Sequence, residues 1–199
     1  MAQAIAAYES AFDKGKSAAI ALKLFRGYRQ EGSGEKAIAS LEDWLQVQPT
    51  DSGVRLMLAS AYQSLGRPGP AIDHYERILA DEPKNLVVLN NLAWIYQEQG
   101  DSRALEYAER AYSVAPDRPE VLDTIGWVFV HNGRVQRGLE LLQDAKVQAP
   151  HLPTISYHYA YALHKANRTD EAKKELQRLL RDHKVFAERE QAQQLLNKL

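Results

Sequence analysis

The sequence predicts an all-α fold, an α-solenoid of about five helix-turn-helix repeats finished by a C-terminal capping helix. Three observations predict it. Ala, Leu, Glu, Gln, Lys and Arg dominate the composition, and all are strong helix formers. The eight prolines fall only at positions 49, 68, 70, 83, 116, 119, 150 and 153. Between them apolar residues recur at helical spacing, the pattern of short helices joined by tight turns. Finally, Pro49, Pro83, Pro116 and Pro150 are 34, 33 and 34 residues apart, so the chain repeats itself.

Four further series share that register. Small residues run Ala37, Ala71, Ala104, Gly138 and Ala172, and a second set runs Phe25, Ala59, Ala93, Gly126 and Ala160. Turn residues run Gly32, Gly66, Gly100, Gly133 and Asn167, and large apolar residues run Tyr28, Tyr62, Tyr96, Phe129 and Leu163. Each series has a physical reason. Glycine or asparagine supplies the left-handed conformation that ends the first helix of a pair. Small residues let two antiparallel backbones approach closely, and the Tyr/Phe/Leu knob fills the space between one pair and the next. The proline breaks the chain after the second helix.

The elements follow in order. In 1–16, Ala4, Tyr8, Ala11 and Phe12 match the second helix of a truncated repeat, so the reading is of an array whose earlier part lies outside this sequence, with an exposed N-terminal edge. Five repeats occupy 17–184, divided as 17–50, 51–84, 85–117, 118–151 and 152–184. The third is one residue short, and the loss falls in its turn, Gly100-Asp101-Ser102-Arg103, where it costs least. Residues 185–199, VFAEREQAQQLLNKL, read as one amphipathic helix covering the last apolar face.

With Trp/Leu, Gly/Ala, Tyr, Ala, aromatic, Ala and Pro at fixed offsets, the period resembles the tetratricopeptide repeat. LASAYQSLGRPGPAIDHYERILADEP (58–83) and IGWVFVHNGRVQRGLELLQDAKVQAP (125–150) carry the resemblance best, and it covers residues 18 to 184. It implies a right-handed superhelix whose concave side is lined by the first helix of each pair. A narrower resemblance runs through NNLAWIYQEQGDSRALEYAERAYSVAPDRPEVLDTIGWVFVHNG, RGLELLQDA and FAEREQAQQLL. It is to the C-terminal region of the large repeat lipoproteins of bacterial exosortase (PEP-CTERM) and exopolysaccharide systems. NNLAW and LDTIGW also recur in many other bacterial tetratricopeptide proteins. That resemblance implies a periplasmic or outer-membrane-anchored parent protein, although no lipidation cysteine stands in this sequence.

The tetratricopeptide resemblance also implies which side chains face the groove. The ninth position of each first helix gives Arg26, Ser60, Trp94, Trp127 and Tyr161. The fifth gives Leu22, Leu56, Asn90, Asp123 and Tyr157, and the twelfth gives Arg29, Gln63, Gln97, Val130 and His164, with His131 and Lys165 beside the last two. The candidate binding residues are therefore Arg26, Asn90, Trp94, Gln97, Asp123, Trp127, His131, Tyr157, Tyr161 and His164. Aromatic faces supply contact area at low entropy cost, and side-chain amides bond a peptide backbone or sugar hydroxyls. The competing reading is that Trp94 and Trp127 merely pack against neighbouring helices. The Lys/Asn pattern of chaperone-binding members is absent, with Leu56 and Ser60 in its place and Asn91 alone fitting, so a chaperone C-terminus is not the expected ligand.

Other classes of function find no support. Lys plus Arg is 25 against 26 Asp plus Glu, a net charge of −1, unlike a chain built to coat nucleic acid. There is no cysteine, and the histidines at 74, 131, 151, 158, 164 and 183 show no paired-ligand motif. His131 and His164 are expected to approach each other across adjacent helices. No phosphate loop, nucleophile elbow or run of roughly 18 apolar residues appears. No cofactor, metal or catalytic residue is expected. Trp44 reads as core packing. The expectation is a non-enzymatic scaffold for an extended protein or peptide segment. The alternatives are a polysaccharide in the same groove, or an array segment that self-associates through the edge near Tyr8 and Phe12.

Overall fold

The turn residues set the helix boundaries. In the computed structural model, which describes residues 2–199, the backbone φ is positive at Gly32, Gly66, Gly100, Gly133 and Asn167 and, glycines aside, at no other described residue. The amide after each turn residue donates back to a knob carbonyl: Ser33 to Tyr28, Arg67 to Tyr62, Asp101 to Tyr96, Arg134 to Phe129 and Arg168 to Leu163, at 2.8–2.9 Å. This six-to-one bond satisfies a helix-end carbonyl that would otherwise lack a donor. Second helices stop differently. Gln48, Glu82, Ala115 and Ala149 each precede a proline and leave helical φ/ψ, because the pyrrolidine ring disfavours helical backbone before it.

Twelve helices result among the described residues: α1 (Ala2–Lys14), α2 (Ala18–Gln30), α3 (Gly34–Val47), α4 (Ser52–Ser64), α5 (Pro68–Asp81), α6 (Leu86–Glu98), α7 (Arg103–Val114), α8 (Pro119–His131), α9 (Val135–Gln148), α10 (Pro153–Lys165), α11 (Thr169–Asp182) and α12 (Arg189–Lys198). The fold is all-α, of helix pairs in tetratricopeptide order. The shortened turn is held by Asp101, which accepts from the Arg103 amide at 2.9 Å and from its guanidinium at 2.7 Å.

The chain forms two compact units, residues 1–88 and 89–199. In the first, α1 packs on α2, with Ile5 and Phe12 each 5% exposed. Phe12, expected at an exposed edge, is thus inside; Tyr8 is half-buried under Lys23. Knob hydroxyls reach the preceding second helix: Tyr28 donates to Glu9 and Tyr62 to Glu42. Ser60 and Gln63 are engaged by the buried Tyr75 hydroxyl at 3.1 and 3.0 Å, so these groove positions are satisfied internally. Trp44 is half-buried, and its indole N–H donates to Asp51, the residue that caps α4.

In the second unit, α8 and α9 cross where Gly126 meets Gly138. A Cβ on Gly138 would lie 2.5 Å from the Gly126 carbonyl oxygen and 3.0 Å from the Val130 nitrogen. The C-terminal segment departs from expectation, since the last helix begins at Arg189 rather than 185. Phe186 turns inward onto Tyr157, Ala160, Leu176, Leu179 and Leu180 while Val185 is 91% exposed. The Arg189 guanidinium then donates to the carbonyls of Leu180 and His183 at 3.2 and 2.9 Å, capping α11 in place of a helical turn.

Candidate functional site

The site belongs to the second unit and is built from α6, α8 and α10, the first helices of three successive pairs. A repeat of 33 or 34 residues returns the same helix face each time, so Trp94, Trp127 and Tyr161 come together. Trp94 and Trp127 stack at 6.4 Å and 22°, and Trp127 meets Tyr161 at 4.9 Å and 52°. All three are half-buried. Their separations fall in the range aromatic pairs prefer. They therefore pack against one another, as the packing reading of these tryptophans expects, and remain partly exposed.

His158, absent from the sequence-based candidates, packs into the ladder. It is 1% exposed and stacks on Trp127 at 4.0 Å and 28°, with Trp94 at 5.5 Å. Its Nδ1 lies 2.8 Å from Asp123 Oδ1. A carboxylate only accepts, so Nδ1 carries the proton and the ring's rotation is fixed. Asp123 was expected to face a ligand; it is instead 8% exposed and serves His158. His131 does not meet His164. It stacks on Tyr161 at 5.3 Å and 2°, and its Nδ1 lies 3.0 Å from the Trp127 carbonyl oxygen. Burial is the main cause that lowers the His131 pKa, with His158 and Lys165 adding to it.

These groups line an open cavity of about 550 Å³. From α6, α8 and α10 it is lined by Trp94, Gln97, Glu98, Trp127, His131, Tyr157 and His158. Ala187, Glu188 and Gln191 complete the wall, contributed by the non-helical stretch before α12 and by its first turn. Glu188 Oε2 accepts from Thr154 Oγ1 at 3.0 Å, which holds that wall to α10. Burial, with Tyr161 and Glu188 nearby, pushes the Tyr157 hydroxyl up to about 12. Of the sequence candidates, Trp94, Gln97, Trp127, His131 and Tyr157 line the cavity. Tyr161 backs it through Trp127. Asn90 lies one turn before Trp94 with a buried Oδ1 that has no hydrogen-bond partner. His164 does not line it, and its buried Nδ1 also has no partner. Arg26 is exposed in the first unit. Among the described residues no cluster of three His, Cys, Asp or Glu side chains is placed to hold a metal, and no helix is long and apolar enough to cross a membrane.

The family described as tetratricopeptide repeat matches residues 54–85 and, in a second version, 74–104. Residues 101–179 match the family described as anaphase-promoting complex, cyclosome, subunit 3. None of these is a catalytic family. The type IV pilus assembly protein PilF of Pseudomonas aeruginosa is 26% identical over 160 residues, covering 77% of this chain and 63% of its own length. The chain spans 63%, 20% and 10% of the lengths of three curated relatives. Among solved structures, MamA from Desulfovibrio magneticus RS-1 superposes with a TM-score of 0.71 at 17% identity, over 84% of this chain and 95% of that one. YrrB, described as a TPR protein with an unusual peptide-binding site, superposes with a TM-score of 0.64 at 16% identity, over 87% and 91%. At such identities the likeness is one of fold.

Proposed function

We propose that this chain, which belongs to the tetratricopeptide-repeat family, is a non-enzymatic scaffold that holds an extended segment of a partner protein against the Trp94–Trp127 face. One observation carries the reading: an open cavity of about 550 Å³ lined by aromatic rings that repeat from helix to helix. Ring faces so spaced suit alternate side chains of an extended strand. The carboxamides of Gln97 and Gln191 at the cavity wall suit its backbone amides. The peptide-binding description of YrrB and the assembly role named for PilF agree with a scaffold.

The test is affinity capture from the source cell's extract, with Trp94→Ala as the control. Trp94 is the variant of choice because Trp127 also packs on the core around Leu176 and would cost stability when truncated. The expected result is a protein retained by the wild type and lost with Trp94→Ala at unchanged helical circular dichroism. Equal retention by both would sink the groove. Displacement by oligosaccharides but not by peptides would assign the groove to a polysaccharide. Concentration-dependent sedimentation without any partner would favour self-association.

A further inference from the structure

The chemistry of one side chain of the occupant can be read from the cavity, given the groove reading on which this step rests. We infer that the held segment inserts a basic side chain, Lys or Arg, into the cavity walled by Trp94 and Trp127 and flanked by Glu98 and Glu188. The charged side chains lining the cavity are these two carboxylates, and no Lys or Arg among the described residues lines it. The neighbouring cations are engaged elsewhere. Lys165 sits over Tyr161 at 5.3 Å, and the Arg189 guanidinium is bonded to the Leu180 and His183 carbonyls. His131 also lines the cavity, and its pKa is lowered, chiefly by desolvation.

The same protein shows what such a setting holds. Arg103 lies 4.1 Å over the Tyr96 ring while bonded to Asp101 at 2.7 Å. Arg67 lies 4.8 Å over the Tyr62 ring while paired with Glu35 at 3.1 Å. In both, a guanidinium joins an aromatic face to a carboxylate. The cavity supplies a larger aromatic face and two carboxylates but no cation of its own, and indole is the strongest of the aromatic partners for one. Glu188 is moreover held in place by Thr154, so its carboxylate is positioned before any ligand arrives.

The experiment uses the full chain, immobilised, and degenerate peptide pools of about twelve residues that differ only in a fixed central Lys, Arg, Leu or Glu. The expected result is retention of the Lys and Arg pools about tenfold above the Leu pool, and further above Glu. The Glu98→Gln/Glu188→Gln double variant should reduce that preference to about threefold or less, and Trp94→Ala should abolish retention of every pool. Equal retention of Lys and Leu pools, or a preference for Glu, overturns the cationic side chain while the groove stands, provided Trp94→Ala still abolishes retention. Retention insensitive to Trp94→Ala, or no retention of any pool, overturns the groove reading and this inference with it.

Discussion

Gly138 faces the backbone of α8 at a distance that excludes a methyl group, and the contact is mutual, since a Cβ on Gly126 would lie 3.0 Å from the Gly138 carbonyl oxygen. Backbone cannot rotate aside as a side-chain tip can. Gly138→Ala should therefore cost about 1–3 kcal/mol in chemical denaturation. Gly66 provides the contrast. Nothing stands within 4 Å of a Cβ there, and the cost of Gly66→Ala comes only from its φ of +68°, about 1–2 kcal/mol. If Gly138→Ala proves the milder of the two, the close approach is misjudged. The small-residue series made Gly138 legible in the sequence, and the turn series made Gly66 so. His158 was not legible, because the sixth position of successive first helices reads Lys23, Met57, Asn91, Thr124 and His158 and forms no series. Its role comes from Asp123 of the preceding repeat, a pairing that exists only after folding. Asp123→Ala should leave a buried imidazole without its acceptor and cost about 1–3 kcal/mol. It should also weaken the near-ultraviolet dichroism of Trp127, whereas an unchanged spectrum would mean that His158 does not order the ladder.

The junctions between helix pairs carry a signature in pH. The hydroxyls of Tyr28 and Tyr62 are buried and donate to Glu9 and Glu42, and both are pushed up to about 12. An unfolded tyrosine titrates near pH 10. Since the folded value is the higher, the stabilisation is fully present below pH 10 and is lost as pH rises from about 10 to about 12. The Tyr28→Phe/Tyr62→Phe variant should start less stable at neutral pH and lose less across that window. Parallel losses in variant and wild type would contradict the assignment. The Tyr knobs were visible in the sequence as fillers, but their acceptors were not, because Glu9 and Glu42 look like ordinary surface residues of an amphipathic helix. The C-terminal segment shows the same limit. Its apolar spacing was legible, whereas its first turn was lost to Phe186 packing and to Arg189 capping α11. Arg189→Ala should uncap two carbonyls, cost about 1–2 kcal/mol and loosen the cavity wall at Glu188.

Across the whole chain, helical repeats contact only near neighbours, so stability is distributed unevenly along each unit. α1 buries Ile5 and Phe12, while α8 buries nine of its residues, Val121 to Gly126 and Val128 to Val130. Amides of α1 should exchange with solvent at least about tenfold faster than those of α8, a difference of roughly 1.4 kcal/mol in local opening. Uniform protection would mean that the chain unfolds as a single cooperative block. The period alone predicted the helix pairs, because each turn needs one residue of special backbone geometry and each crossing needs small side chains. Function was less legible, since it depends on which exposed rings of successive repeats gather around one cavity. The most direct test of the groove is photo-crosslinking. A benzophenone side chain placed at Gln97, which lines the cavity, is compared with one at Val147, which is 75% exposed on α9 outside the cavity. The account predicts adducts to a captured partner segment from position 97 and none from 147; adducts from 147 with none from 97 would contradict it.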